Sequence, residues 1–200
     1  MQVQPSIQPG FADAVVQSQA TFRCAMSAMS RPGRIVALAP RVEPPAPLSA
    51  PAAALLLTLC DFETTVWLDP TLSAAAAVAD FLRFHTGARC IDDAAVANYA
   101  VISDSVRMPA LATFAQGTPQ YPDQSTTLIV EVERLAQSGW TLEGPGIRAA
   151  SRLGAAPLPD DFAEQLGANR SRFPCGVDIF FTTRDEIAAL PRSVRLTGTG

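Results

Sequence analysis

The chain has no lysine. Its 15 basic positions, among 200 residues, are all arginine, and His85 is its one histidine. Without lysine there is no Schiff base, so no internal aldimine with pyridoxal phosphate and no lysine general base. A P-loop, which sets a lysine against its phosphates, is excluded as well. One histidine cannot supply a zinc site of the two- or three-histidine kind within one chain, and no metal or other cofactor is expected. Any serine–histidine or cysteine–histidine mechanism has to run through His85. Codon usage in a GC-rich genome accounts for a chain this rich in arginine and alanine, but the chemical exclusions hold whatever the cause.

Other absences narrow the field further. Cys24, Cys60, Cys90 and Cys175 show no C-x-x-C spacing, which argues against a zinc ribbon or a thioredoxin motif and leaves buried, reduced, inert thiols as the expectation. The arginines form no basic run and the formal net charge is −4, so no nucleic-acid partner is expected. The densest apolar run, Ala52–Cys60, falls well short of the roughly 18 residues that a membrane helix needs. Met1–Gly10 lacks the charged and apolar regions of a signal peptide, and a cytoplasmic protein is expected.

What is present reads as one α/β domain. Residues 1–10 look like a loose leader and 11–200 like a single folded unit. Phe11, Val15, Phe22, Met26 and Met29 recur at helical spacing, predicting a long amphipathic helix that ends near Ser30, before Pro32. Arg34–Ala39 reads as a strand. Pro40, Pro44, Pro45, Pro47 and Pro51 predict a stiff surface crossover over 40–51. A buried helix is expected over Ala52–Cys60 and a strand over Thr65–Leu68. Asp69-Pro70 should cap an alanine-rich helix reaching Phe84. Further strands are predicted at Tyr99–Ile102, Thr126–Val132, Trp140–Glu143, Val177–Thr182, Ile187–Leu190 and Ser193–Leu196. Asp161 and Glu164 form a capping pattern for a helix running towards Asn169. Strands alternating with helices and then a strand-rich end predict a three-layer α/β/α sandwich with a mixed sheet.

Several residues invite chemistry, each with a plainer reading beside it. His85 serves as an acid/base or anion ligand, or else closes a helix C-terminus on its dipole. Arg23, Ser27 and Ser30 share a helix face, and with Arg31 and Arg34 nearby they suit a phosphate or carboxylate clamp; ordinary surface arginine is the alternative. Gly144-Pro145-Gly146 before Ile147-Arg148 offers a backbone anion nest, except that Pro145 has no N–H, or a simple turn. Asp178, early in a buried strand, needs a partner such as Arg192. Asp61 and Glu63 form a paired-carboxylate site or a solvated turn.

Several segments together resemble the PhnH family, a subunit of the bacterial carbon–phosphorus lyase system for phosphonate use. They are Phe22-Arg23-x-x-Met26-x-x-Met29-Ser30-x-Pro32-Gly33, Leu56-Leu57-Thr58-Leu59-x-Asp61, Val66-Trp67-Leu68 and Leu82-Arg83-Phe84-His85-Thr86. Gly117-Thr118, Gly144-x-Gly146-Ile147, Phe173-Pro174-x-Gly176-Val177-Asp178 and Pro191-Arg192-Ser193 follow in order, from about Phe11 to about Leu196. Pro145 and the proline-rich stretch 40–51 read as local departures.

The resemblance implies an α/β/α domain similar to the large domain of pyridoxal-phosphate-dependent transferases, here without that cofactor. It implies a homodimer and a core complex with PhnG, PhnI and PhnJ. That complex supports synthesis of ribose 1-methylphosphonate triphosphate from ATP and a phosphonate. An accessory role is expected, with an anion held near Arg23, Ser30, Arg83, His85 and Arg192. The rivals are an independent enzyme using His85, or a sensor binding a phosphonate or nucleotide without turnover. Fold alone does not decide among these.

Overall fold

The computed structural model describes residues 7–198, so most of the expected leader lies outside the described residues. The first helix, α1 (Ala14–Ser30), is capped by Asp13, whose side chain accepts from Val16 N. A short strand, β1 (Val36–Ala37), follows, and the proline-rich crossover leads into α2 (Ala50–Leu59). That crossover is less superficial than predicted: Val42 and Leu48 are buried, and Pro51 belongs to the first turn of α2, behind the Ser49 cap.

β2 (Thr65–Leu68) ends at Asp69, which caps α3 (Pro70–Ser73) through Leu72 N. The single helix predicted to reach Phe84 is broken: α3 stops at Ser73 and α4 spans Ala76–Thr86. Leu72 and Val78 are both fully buried. On one continuous helix, residues six apart stand roughly 240° apart, so the break is what lets both reach the sheet. β3 (Arg89–Ile91), which periodicity did not predict, is a three-residue edge strand.

β4 (Tyr99–Ile102) and β5 (Thr127–Glu131) follow as predicted in kind and place. β6 (Arg134–Glu143) is longer than Trp140–Glu143, and it hairpins with β7 (Ser151–Ala156), a strand the alternation did not reveal. Asp161 does not make the side-chain cap expected of it on α5 (Phe162–Ser171); its carboxylate accepts from Gln165 Nε2 instead. β8 (Asp178–Thr182), β9 (Glu186–Leu190) and β10 (Arg195–Gly198) complete the chain.

Seven strands form a mixed sheet in the order β1-β9-β8-β5-β4-β2-β3. β8, β5, β4, β2 and β3 run parallel, while β9 is antiparallel to its neighbours β8 and β1. A separate antiparallel sheet has the order β10-β6-β7. Residues of α1, α2 and α4 pack with one face of the large sheet, through Ala52–Leu56, Phe81, Val101 and Ile129. The other face is covered by α5 and by Leu135, Leu142 and Leu153 of the small sheet.

Only the two ends of the predicted stripe, Phe11 and Met29, pack against the core; its middle faces outward. The buried residues of α1 are Thr21, Ala25 and Ala28, while Val15, Phe22 and Met26 are exposed. Small side chains on the inner face suit close approach to the alanines at the start of α2, and that leaves the large apolar ones facing outward.

Two carboxylates, the buried Asp69 and the half-buried Glu131, stand at the carboxyl ends of central strands. Asp69 accepts from Leu72 N (2.8 Å), Ser103 N (2.7 Å), Ser103 Oγ (2.9 Å) and Asp104 N (3.1 Å). Glu131 accepts from Ser49 N at 3.1 Å, yet burial pushes its carboxyl above the usual range. Asp69→Ala orphans three backbone donors, and urea titration should show a loss of about 3 kcal/mol. Glu131 has the opposite sign. Its raised folded pKa means that its cost is absent below the unfolded value and grows as pH rises through the folded value. Glu131→Gln should therefore be more stable than the parent at pH 8, with the difference closing below about pH 4, as compared by paired urea melts.

Candidate functional site

The five sequence candidates occupy three places in the fold. Arg23 and Ser30 lie on α1, both exposed. Arg83 and His85 share the last turn of α4. Arg83 pairs with Asp80 at 2.6 Å, and His85 Nε2 lies 2.9 Å from Gln8 O. A carbonyl only accepts, so Nε2 carries the proton in that contact. Gly10 packs so closely on the imidazole that an added Cβ would lie 2.9 Å from Nδ1. Phe81 and Phe84 approach the same ring edge to face. The leader segment thus covers the histidine that any acid/base mechanism would need.

Arg192 follows β9 and grips Asp178 at 2.5 Å, with further bonds to Ser125 Oγ and the Pro122 carbonyl. The pair is largely buried. Next to it, Asn169 brackets Val177, donating to its carbonyl at 2.9 Å and accepting from its N–H at 2.8 Å. Gly176, at φ 115°, packs directly on Asn169. The Phe173–Asp178 motif and Arg192 therefore form a structural knot. Asp61 and Glu63 sit in the solvated turn that was the plainer reading, with Asp61 Oδ1 accepting from Glu63 N.

All four cysteines are free. Burial pushes the Cys60 thiol up to about 12. Cys90 is exposed on β3, contrary to the expectation of burial, though partial desolvation still raises its thiol.

In open α/β sheets, ligands usually bind at the carboxyl ends of strands where the winding reverses. Here that reversal falls between β2 and β4. Beside it, a cleft of about 380 Å³ opens at the carboxyl ends of β4 and β5, lined by Ser103, Asp104, Glu131 and Glu133. A phosphate-bearing cofactor does not fit a site edged by carboxylates in a chain without lysine.

Arginines gather elsewhere. A cleft of about 690 Å³ opens between the end of α1 and the β6–β7 connection, and Arg31, Arg34, Arg148 and Arg152 line it. No carboxylate lines it, and among the described residues these four arginines make no ion pair. Its walls are locked together. Gly146, at φ 83°, lies against the Ser30 carbonyl, where a Cβ would collide. Gly33, at φ 86°, leaves no room for a Cβ beside Ser151 Oγ. Gln137 Nε2 donates to Gly33 O at 2.7 Å.

Two stretches singled out separately in the sequence, Arg31/Arg34 and Gly144–Arg148, thus meet. Ser30 adjoins the cleft, while Arg23, Arg83, His85 and Arg192 do not line it. The backbone nest is not what the turn provides, because Ile147 N donates to Gly144 O. Arg152 and Gln137 carried no signal in the sequence, since the strands that hold them were not read there.

Comparison with known proteins agrees in a single direction. The model of the family described as bacterial phosphonate metabolism protein (PhnH) matches residues 9–197. A Rhizobium meliloti (strain 1021) protein named alpha-D-ribose 1-methylphosphonate 5-triphosphate synthase subunit PhnH is 42% identical over 199 residues, covering 98% of each chain. A putative C-P lyase subunit protein, HtxG, of Stutzerimonas stutzeri is 28% identical over 185 residues, covering 92% of this chain and 88% of its own. With the family model spanning nearly every described residue and a relative this similar end to end, the chain belongs to the PhnH family of bacterial phosphonate metabolism proteins.

Proposed function

We propose that this chain is an accessory subunit of a phosphonate-processing core complex, joining PhnG, PhnI and PhnJ and pairing with a second copy of itself. In that role it supports the synthesis of ribose 1-methylphosphonate triphosphate from ATP and a phosphonate. The observation that carries this reading is the full-length similarity to a relative named as a synthase subunit. The outward apolar face of α1 supports it: Val15 is 79% exposed, Phe22 47% and Met26 50%, a row that folding alone does not explain.

The chain contributes surface and binding groups, with the chemistry residing in other subunits. Its one histidine is engaged by the Gln8 carbonyl, and its Cys60 thiol is pushed up to about 12 by burial, so that thiol is not a thiolate at neutral pH. Its domain is a three-layer sandwich similar to the large domain of pyridoxal-phosphate-dependent transferases, a reading supported by helices on both faces of the mixed sheet. Among the described residues no helix is long and apolar enough to cross a membrane, and the cytoplasm is the proposed compartment.

An anionic small ligand belongs to the same reading. Ser30 backs the arginine cleft through Gly146, and Arg23 stands about two turns earlier on α1. Arg83, His85 and Arg192 already engage Asp80, Gln8 and Asp178, and act on an anion only where those contacts are exchanged.

Co-expression with PhnG, PhnI and PhnJ tests the assignment. A tagged chain should recover all three in stable stoichiometry, and alone it should run in size-exclusion chromatography at twice the chain mass. Phe22→Glu with Met26→Glu should cut recovery about tenfold or more, the cost of a charge placed in an apolar contact, while leaving the circular dichroism unchanged. Failure of the parent chain to recover any of the three overturns the proposal.

A further inference from the structure

The charge of the arginine cleft is unexplained by the fold. Arg31 lies just beyond α1, where a cation offsets the helix dipole, and Arg34 is close behind it. Arg148 and Arg152 have no such reason to be there. They sit on the opposite wall, on the β6–β7 connection and on β7. The Gly146–Ser30 and Gly33–Ser151 contacts and the Gln137 bond hold that wall against α1.

Four like charges are thereby kept on one concave surface of a chain whose net charge is −4. Acidic residues are more numerous than basic ones overall, 19 against 15, yet none lines this cleft. Among the described residues only Arg83, Arg107 and Arg192 make ion pairs, so what sets the cleft apart is the gathering of four arginines in one lining that holds no carboxylate. Repulsion held in place by backbone contacts is relieved when an anion enters.

We propose that this cleft is a binding site for an oligophosphate group. Guanidinium forks match phosphoryl oxygens two at a time, and four of them suit a ligand with several adjacent phosphoryl groups better than a single phosphate. A volume of about 690 Å³ is within the range of small-molecule sites and far exceeds what one phosphate fills. Pro32 and Ile147 supply an apolar stretch of wall for whatever the oligophosphate is attached to. Binding here uses side chains, since the turn's own N–H at Ile147 is spent on Gly144. The inference stands on the geometry of the cleft and not on the subunit assignment, which co-purification tests separately.

The test is calorimetric titration of the purified full chain with inorganic tripolyphosphate, pyrophosphate and phosphate. Affinity should rise along the series from phosphate to tripolyphosphate, about tenfold per added phosphoryl group, and should weaken as ionic strength is raised. Arg148→Gln and Arg152→Gln should each weaken tripolyphosphate about tenfold, and Arg31→Gln should do the same from the other wall. Arg107→Gln, outside the cleft, should leave binding unchanged.

The four arginines are exposed, so the unliganded melting temperatures of the variants should match the parent. A variant that melts early is replaced by the substitution at its neighbour on the same wall. Absence of tripolyphosphate binding up to about 1 mM overturns the proposal, as does binding that none of the three cleft variants weakens. Capture of polyglutamate without tripolyphosphate binding also overturns it, and makes the cleft a docking site for an acidic protein segment.

Discussion

Asp69 is the constraint on which the central sheet depends. It ends β2, starts α3 and receives two backbone N–H groups from the segment after β4, all from a position 3% exposed. Among the described residues no arginine pairs with it; amide dipoles and a hydroxyl satisfy the charge. One carboxylate thereby ties together the two strands between which the winding of the sheet reverses, and sets where α3 begins. At this end of the sheet acid groups have become structural, which is why the position where such folds usually hold a phosphate is unsuited to one here.

The side of the molecule near the end of α1 has the opposite character. Small residues turned inward let α1 settle against α2 and the sheet, and its C-terminus then meets the hairpin of the second sheet. Gly33 and Gly146 permit contacts that a Cβ would forbid, so the two walls of the arginine cleft are joined through backbone as well as side chains. The same close packing of α1 leaves Val15, Phe22 and Met26 outside while Phe11 and Met29 reach the core. One helix therefore contributes an apolar outer face along its length and a cationic edge just past its end.

The central sheet was legible because its strands are short, apolar and bounded by turns: Thr65–Leu68 and Tyr99–Ile102 were read to the residue. β3 and β7 were not, because Arg89–Ile91 and Ser151–Ala156 carry exposed or small residues on a sheet edge and lack alternation. The stripe on α1 had the correct period, but periodicity cannot say which face goes inward when alanines on the other face pack more closely. The site suffered from the same gap. Arg31, Arg34 and Arg148 stand out in the sequence, but only the β6–β7 hairpin, which has no alternation to mark it, brings Arg148 and Arg152 across to α1. Arg192 drew attention as a charged residue in a motif, and it turns out to be engaged with Asp178, the partner suggested for it on burial grounds.

The cleft also makes the molecule electrically lopsided. With −4 overall and four positive charges in the cleft, the rest of the chain carries −8. Four positive charges gathered in one opening of a body that is otherwise net negative favour the approach of an anion there. Encounter is then selected by orientation before any contact forms, and its rate falls as salt is added. An acidic protein built wholly on arginine thus turns one cationic opening towards a negatively charged visitor, and its place is set by where α1 ends.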